Sequence, residues 1–270
     1  MLKTNKYIIY FLTILLVYVL FIPRIYKQES FSNSNNMIYR IPKYIYQTCE
    51  NIDTLPEKFK KNINYIKRMN KDWEHVLYDD NMIIDFIQKN YDKNILDSYK
   101  KINPKYGPAK ADLFRYLLMY KKGGVYLDIK SAMDKPLNEI IKEDTFYLSH
   151  WKERYNIDIF PDKGEFQNWW IISPPNHPIL KNVIDNVITE INKCNHKTGK
   201  PGVLHTTGPI IYTKTILEIL KKYKHKIYDT NQELGLIYNN TSETKDQTSH
   251  QKLFKKHYSQ LTEPVIICNN

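Results

Sequence analysis

Cysteine is scarce in this chain of 270 residues, which has three cysteines, at positions 49, 194 and 268. Three scattered cysteines are too few for a disulfide framework or for a cysteine-based metal cluster. They can form at most one disulfide bond within the chain, and the sequence does not say between which two.

The chain also lacks the sequence patterns of nucleic-acid-binding proteins. Its formal net charge is +11, and a basic surface favours anionic partners such as nucleic acid, anionic lipid or a phosphorylated small molecule. However, there is no zinc-finger spacing or RNP-like aromatic motif, and lysine and arginine are spread along the whole length. We therefore expect a lysine-rich solvated surface and predict no nucleic-acid partner.

The N-terminus carries an apolar run but lacks a cleavage site. Tyr7 to Ile22 reads YIIYFLTILLVYVLFI and contains no charge. A membrane span needs about 20 apolar residues, and extension to Tyr26 reaches that length because Arg24 can snorkel to the interface. No small residues stand where a signal peptide would be cut. The pattern predicts an uncleaved membrane anchor, and a buried helix of a folded domain is the alternative.

Three regions follow from this reading. Residues 1–28 are predicted to be the N-terminal membrane anchor. Residues 29–37 include the polar stretch SFSNSNN and are predicted to be a short stem. Residues 38–270 are predicted to form the folded domain. The positive charges on the two sides of the apolar run are balanced, so they do not set the membrane orientation.

Strands and helices alternate through the first half of the predicted domain. Segments rich in β-branched and aromatic residues begin at Ile41 and at Trp73 and predict strands, each followed by a helical pattern. A longer helix is predicted from Gly107 to about Lys122, and a strand follows it over Val125–Ile129. This alternation is typical of an α/β fold with a parallel sheet, in which ligands bind at the carboxyl ends of the strands.

Three charged residues of this region are candidates for a site. Asp112 and Arg115 are three residues apart and share one helix face, which by itself predicts a weak surface ion pair. Asp128 ends a predicted buried strand, where a charge needs a partner or a ligand. A carboxylate two residues later would lie on the same face of an extended segment, and such a pair can hold a divalent cation against a diphosphate. This chain has Lys130 at that position.

Four segments together resemble glycosyltransferase family 32, the proteins with a DXD sugar-binding region that are typified by fungal initiating mannosyltransferases. They read, in chain order, IPKYIYQT, ADLFRYLLMYKKGGVYLDI, NWWIISPPNHPIL and TTGP, and they span Ile41 to Pro209. The second segment is the most specific, because its Asp, Arg, Tyr, Gly-Gly and Asp all fall in the family's order.

The resemblance implies a GT-A-like, Rossmann-type nucleotide-sugar-binding domain with a mostly parallel central sheet, preceded by an N-terminal transmembrane helix. It implies an enzyme that moves a hexose of the mannose type from a GDP- or UDP-linked sugar to a glycan or glycolipid acceptor, with retention of configuration. It also implies Mn²⁺ or Mg²⁺ as cofactor, dispensable if Lys130 takes its place. The expected location is a membrane, through a single-pass signal anchor of the Golgi or ER type if the source is eukaryotic or viral.

The resemblance also assigns catalytic candidates by position. Asp112 and Arg115 would hydrogen-bond the hydroxyls of the donor sugar, which replaces the surface ion pair expected from spacing alone. Asp128 would be the first acid of the DXD motif and would contact the ribose and the metal. Tyr46 and Gln47 would border the nucleobase.

Further substrate-binding candidates come from the other segments. Thr207 and Gly208 fall in a loop that the family places near the donor. Asn168 is a candidate polar group on the acceptor side. Lys130 is included because an ammonium at its position could reach the diphosphate.

Two departures from the family pattern bear on function. Cys49 stands where relatives commonly have tryptophan, which weakens base stacking or leaves it to another aromatic residue. Lys130 has three explanations: it neutralises the diphosphate directly, or a different acid such as Asp134 completes a metal site with Asp128, or the chain is inactive. If the chain is inactive, it is a sugar-nucleotide or glycan binding protein on a degenerate transferase fold. A lysine that points into solvent is a further alternative.

Overall fold

The computed structural model describes residues 40–241 and 258–268. The predicted membrane anchor (1–28) and stem (29–37) lie outside the described residues. Within those two ranges, no helix combines the length and the apolar character needed to cross a bilayer.

The described residues form helices and strands that alternate along the chain. The strands are β1 (Tyr44–Thr48), β2 (Glu74–Tyr78), β3 (Gly124–Leu127), β4 (Ala132–Met133), β5 (Phe146–Leu148), β6 (Trp170–Ser173), β7 (His225–Ile227) and β8 (Leu236–Ile237). The helices are α1 (Glu57–Met69), α2 (Asp80–Asn90), α3 (Lys93–Lys101), α4 (Gly107–Lys122), α5 (Leu137–Ile140), α6 (Pro178–Asn192), α7 (Gly199–Thr206) and α8 (Pro209–Ile219). Two 3₁₀ turns cover Leu220–Lys222 and Tyr258–Gln260.

A six-stranded sheet organises the described residues, with the order β2-β1-β3-β6-β5-β7. Strand β1 pairs in parallel with β2 and with β3, and β5 pairs in parallel with β7. Strand β6 runs against its neighbours β3 and β5, so five of the six strands share one direction. The expected mostly parallel α/β sheet is therefore confirmed. A second sheet pairs β4 with β8.

The sheet directions bring distant segments to one edge. Strands β1 and β3 both end at this edge, at Thr48 and Leu127, and β6 starts there because it runs in the opposite direction and pairs Trp170 with Leu127. Helix α4 returns along the sheet before β3, so its first half lies near the same edge. Residues that follow β3, precede β6 or begin α4 are thus neighbours in space.

Helix α4 is the central helix of the domain. Every residue from Asp112 to Met119 is buried, as expected for a helix that packs on several sides. Its start has proline at Pro108, which suits the first helical turn. Its end needs Gly123 and Gly124, because their φ angles are +63° and +101° and a Cβ on Gly123 would lie 2.5 Å from the Pro175 nitrogen.

The C-terminal segment, residues 258–268, packs back onto the start of α4. Cys194 and Cys268 form a disulfide bond, and Cys49 is a free thiol. The Tyr106 hydroxyl donates a hydrogen bond of 2.6 Å to the Glu263 carbonyl. The structure thus identifies the disulfide pair that the sequence left open.

Candidate active site

Asp128 lies at the shared edge, directly after β3. Its backbone N–H donates to the Trp169 carbonyl at 2.9 Å, which ties it to the start of β6. Its carbonyl accepts from the Gln47 amide at 3.1 Å and from the Ser131 N–H at 2.8 Å. With its backbone fixed in this way, the side chain remains 24% exposed and available to a ligand.

Arg115 joins the two candidate carboxylates. Its Nη2 lies 3.3 Å from Asp112 Oδ1 and 3.1 Å from Asp128 Oδ1. Its Nη1 donates to the Asn168 carbonyl at 2.5 Å. The guanidinium is stacked 4.8 Å from the centre of the Tyr126 ring. Arg115 is buried, so the surface ion pair expected from spacing alone is wrong, because α4 is enclosed on the face that carries both charges.

Asp112 is held by neutral donors as well as by Arg115. Its Oδ1 accepts from the Asn168 amide at 3.1 Å, and its Oδ2 accepts from the Thr207 hydroxyl at 3.2 Å. Burial raises the pKa of Asp112, and the positive charge of Arg115 acts in the opposite direction. The carboxylate is therefore rigidly oriented, as a group that positions a substrate should be.

Tyrosines complete the enclosure of these charges. The Tyr116 hydroxyl donates to the Thr207 carbonyl at 3.0 Å and accepts from the Asn168 amide at 2.9 Å. The Tyr126 hydroxyl lies 3.1 Å from the Thr48 hydroxyl. Sequence reasoning missed both tyrosines, although Tyr116 is four residues after Asp112 on the helix and Tyr126 is two residues before Asp128 on the strand. These spacings place each pair on one face.

Lys130 is buried beside the site. Its ammonium lies 3.9 Å from the centre of the Tyr238 ring, and it is 8% exposed. Within the described part of the chain no carboxylate lies within 4.0 Å of it. Burial lowers the pKa of Lys130 to about 8, the charge of Asp128 opposes that shift, and the charge of Arg115 adds to it. The alternative of a solvent-directed lysine is thus wrong, because Tyr238 and the turn after β3 enclose the side chain.

The remaining predicted residues are placed as follows. Gln47 is fully buried and bridges the site to His75, whose Nε2 lies 2.9 Å from the Gln47 Oε1. Tyr46 is also buried, and its ring is stacked 5.8 Å from that of Tyr44. Gly208 lies against α7, where a Cβ would meet the Leu204 Cα at 2.9 Å. The nucleobase contacts of Tyr46 and Gln47 stay predictions, as does the acceptor contact of Asn168.

The residues present do not fit a metal site built on two carboxylates. One oxygen of Asp128 already faces Arg115, and the position of the second acid carries an ammonium. Asp134, the alternative acid, lies against Gly235 in the turn next to β8. Mg²⁺ and Mn²⁺ prefer several oxygen ligands, whereas the accessible carboxylate of Asp128 is paired with Arg115 and is followed two residues later by an ammonium.

The mostly parallel sheet and the site at its carboxyl edge agree with the GT-A-like fold expected from the sequence. Residues 56–147 match the family described as "Glycosyltransferase sugar-binding region containing DXD motif". For residues 56–147 this match agrees with the resemblance stated from the sequence motifs.

Curated relatives extend the similarity. The chain is 28% identical over 178 residues to Inositol phosphoceramide mannosyltransferase 1 of Schizosaccharomyces pombe, covering 63% of this chain and 50% of that protein. It is 30% identical over 208 residues to the Initiation-specific alpha-1,6-mannosyltransferase of Candida albicans, covering 66% of this chain and 53% of that protein. The chain thus spans about half the length of the curated relatives it matches.

A solved structure supports the fold. The PaToxG Glycosyltransferase superposes with a TM-score of 0.52 and 17% identity, covering 67% of this chain and 70% of that one. At this identity the likeness speaks for the fold alone.

Proposed function

We propose that this chain transfers a hexose, mannose in the first instance, from a nucleotide-diphosphate sugar to a glycan or glycolipid acceptor. The observation that supports this most directly is the contact of Arg115 with both Asp112 and Asp128 at the carboxyl edge of the sheet. Open α/β sheets bind their ligands at that edge. Asp112, Arg115 and Asp128 are the catalytic candidates, and the names of the curated relatives support mannose as the first donor sugar to test.

The buried pair of Asp112 and Arg115 would orient the donor sugar. Both side chains are fixed by further contacts, to Thr207 and Asn168, so little conformational freedom is lost when a substrate binds. Precise orientation of the reacting sugar is a large part of catalysis. The partly exposed carboxylate of Asp128 would accept a hydrogen bond from the ribose of the donor.

The positive charge for the departing diphosphate would come from Lys130 and Arg115. Transfer passes through an oxocarbenium-like state while negative charge grows on the leaving group. Fixed cations near that charge lower the barrier. Both side chains are preorganised by burial, so we propose that transfer does not require the Mn²⁺ or Mg²⁺ that the family pattern implies.

Retention of configuration would follow from attack on the face that the diphosphate leaves. A covalent intermediate needs a free carboxylate nucleophile. Asp112 and Asp128 both face Arg115 at 3.3 Å or less, and this pairing weakens each of them as a nucleophile. We therefore favour direct attack by the acceptor hydroxyl over a glycosyl-enzyme.

The location we propose is the lumen of a secretory compartment, with residues 1–28 as a single-pass anchor. The disulfide between Cys194 and Cys268 supports an oxidising environment. The apolar run from Tyr7 to Ile22 supports the anchor. Protease protection of the tagged chain in microsomes tests both parts of this assignment.

A donor screen tests the proposed function. The purified chain is incubated with GDP-mannose, UDP-glucose and other nucleotide-diphosphate hexoses, and the released nucleotide is measured by mass spectrometry. We expect hydrolysis of at least one donor and faster release when a mannose-containing acceptor is added. Absence of release from every donor would contradict the proposal.

A second candidate is a protein that binds a sugar nucleotide or a glycan without turnover. Lys130 in place of the second acid favours it, because the family pattern is broken at a residue expected to serve catalysis. Thermal stabilisation by a nucleotide sugar in the absence of any product would support this candidate. Product formation would exclude it.

A further inference from the structure

A cleft of about 460 Å³ lies next to the candidate active site. Its volume is within the range of ligand sites, roughly 300 to 1,000 Å³. Most of its lining comes from the segment that follows β5, from the segment that precedes β8 and from β8 itself, and Asp134, Gln167 and Tyr238 complete it. None of the residues assigned above to the donor belongs to this lining.

Tyr238 forms the wall between the cleft and the donor site. Its ring contacts Lys130, whose ammonium lies 3.9 Å from the ring centre. The Ser131 hydroxyl, three residues after Asp128, donates to the Tyr238 carbonyl at 2.7 Å, so Tyr238 lies close to the catalytic candidates. A molecule bound in the cleft against Tyr238 would thus be adjacent to the bond that is broken.

The cleft combines an aromatic surface with hydrogen-bonding groups. Trp151 is half-buried and packs edge to face with Tyr238, with ring centres 5.2 Å apart. Trp169 supports Tyr238 from within the core at 5.4 Å. Sugar rings present one face of C–H groups and a rim of hydroxyls, which suits an aromatic platform with polar neighbours.

One polar group of the lining lacks a partner. Thr230 is 5% exposed and lines the cleft. Its buried Oγ1 has no hydrogen-bond partner in the described residues. Leaving a buried hydroxyl without a hydrogen-bond partner is unfavourable, and a ligand that bonded to it would remove that cost.

The charge of the lining selects among ligands. Its acidic residues are Asp134, Glu153 and Asp229, and Lys152 is the lysine among them. This balance is negative in a chain whose net charge is +11. Carboxylates accept hydrogen bonds from hydroxyl groups and repel phosphate, so the cleft favours a neutral polyhydroxylated molecule over an anionic one.

We propose that this cleft binds the acceptor, and that the acceptor is the neutral hexose end of a glycan. The sugar would lie on Trp151 and Tyr238, with hydroxyls bonded to Thr230 Oγ1 and to the carboxylates of Glu153 and Asp229. The inference rests on the proposed function, since it names the second substrate of the same reaction. It excludes a phosphorylated polyol as the group that enters this cleft.

Two single variants test the inference against a matched control. The acceptors are mannopentaose, which is neutral, and glycerophosphoinositol, which is anionic, and the donor is the one hydrolysed fastest by the wild type. We expect transfer to mannopentaose. Trp151→Ala should raise the KM for mannopentaose about tenfold and Thr230→Val about threefold, since each removes one anchor of the sugar. Met82→Ala, which changes an exposed apolar residue of α2, is the matched control and should leave both the KM for mannopentaose and acceptor-free donor hydrolysis within about twofold of the wild type.

A charge variant tests the selectivity. The double variant Glu153→Gln and Asp229→Asn keeps the shape and the turn at residue 229 while it removes two negative charges. We expect glycerophosphoinositol to become a usable acceptor, with its KM at least about fivefold below that of the wild type. An unchanged preference would contradict the role of these carboxylates.

The outcomes separate the inference from the function on which it rests. Failure of the wild type to hydrolyse any donor would reject the proposed function. Donor hydrolysis without transfer to mannopentaose, or an acceptor KM that neither Trp151→Ala nor Thr230→Val changes, would reject the acceptor cleft and leave the transferase intact.

Discussion

Arg115 carries the interactions on which the candidate site depends. It contacts Asp112, Asp128 and the Asn168 carbonyl through its two terminal nitrogens. A lysine has one ammonium and cannot span these partners in the same geometry. The guanidinium therefore fixes the relative position of a helix, a strand end and the start of another strand.

Arg115→Lys should lower transfer strongly while the positive charge is kept. We expect kcat/KM for the donor to fall about 100-fold, because the two carboxylates lose their common partner. Steady-state donor hydrolysis measures this effect, and Arg68→Lys, at an exposed position of α1, is the matched control. Equal kinetics of Arg115→Lys and the wild type would remove Arg115 from the site.

Asp128→Asn should abolish turnover and leave the fold intact. The backbone of Asp128 is held by Gln47 and Trp169, whose contacts do not involve the side chain. The carboxylate is partly exposed and Arg115 keeps Asp112 as a partner, so the loss should lower the free energy of unfolding by a few kcal/mol at most and leave the chain folded. Circular dichroism and donor hydrolysis check the two parts, with Asp85→Asn on α2 as the control. Wild-type hydrolysis in Asp128→Asn would refute the assignment.

Lys130 should make transfer independent of a divalent metal. We expect activity to survive EDTA, because the cations at this edge are Lys130 and Arg115. Lys130→Met should lose activity, since it keeps the packing on Tyr238 but not the charge. Lys130→Asp restores the D-x-D spacing and should respond to added Mn²⁺. Complete loss of wild-type activity on chelation, with recovery in Mn²⁺, would show that the lysine does not replace the metal.

At this scale the sequence could identify Asp112, Arg115 and Asp128 as neighbours of one edge, but not their partners. Asp128 was predictable because it ends a short apolar strand. Tyr238 was not, because it comes 108 positions after Lys130, in a segment whose pairing through β8 is set by tertiary contacts. The contact of Lys130 with Tyr238 could therefore not be predicted from the residues near Lys130 in the sequence.

At the scale of elements, the long periodic segments were predictable and the short ones were not. Helix α4 matches the predicted bounds of Gly107 and Lys122, because proline and glycine mark its two ends. Strands β4 and β8 have two residues each, and so short a segment carries no periodicity. Helix α7 begins with Gly-Lys-Pro-Gly, which reads as a turn until the C-terminal segment packs against it.

Helix α6 begins with a titratable cap. His177 Nδ1 accepts a hydrogen bond from the Ile179 N–H, and His177 Nε2 lies 3.2 Å from the Lys224 carbonyl. This arrangement requires a neutral ring with the proton on Nε2. Burial against Phe146 lowers the pKa of His177 to about 4, and the nearby His225 adds to the shift.

Stability should therefore fall as the pH drops from about 6.5 to about 4. In that window the unfolded histidine binds a proton and the folded one does not, so the unfolded state is favoured. One pKa unit corresponds to about 1.4 kcal/mol, so the loss from this residue is about 2 to 3 kcal/mol. His177→Asn keeps a capping acceptor without titrating, and urea unfolding at pH 7 and pH 4.5 should show a smaller change in the free energy of unfolding than in the wild type.

His196→Asn, at an exposed position, is the control and should keep the pH dependence of the wild-type unfolding free energy. The same pH dependence in His177→Asn as in the wild type would contradict the role of His177.

At the scale of the whole molecule, the C-terminal segment closes the domain onto its own centre. Residues 258–268 form bridges with two segments that are distant in sequence, pairing Ile266 with Ile102 and Pro264 with Thr198. The Val265 N–H donates to the Lys197 carbonyl at 2.8 Å. Burial raises the pKa of Tyr258, and the charges of Asp112 and Asp128 add to that shift, in agreement with a segment that approaches the site. The sequence near Cys268 does not predict this packing, because it does not identify which cysteine forms the disulfide bond with Cys268.

The disulfide should be the main covalent support of this closure. Cys194 and Cys268 are separated by 74 positions, and a crosslink across a loop of that length stabilises a domain by about 4 kcal/mol in the chain-entropy description. Cys268→Ser should lower the midpoint of thermal unfolding, and dithiothreitol should lower it in the wild type but not in the variant. Because the segment borders the site, we expect the KM for the donor to rise about threefold or more in Cys268→Ser.

Cys49→Ser is the control for this prediction, since Cys49 is a free thiol outside the crosslink. It should keep the sensitivity of the wild type to dithiothreitol. Equal unfolding of the oxidised and reduced wild type would show that the noncovalent contacts of residues 258–268 hold the segment without the disulfide. A normal unfolding midpoint with a raised donor KM in Cys268→Ser would instead show that the disulfide supports donor binding and does not stabilise the fold.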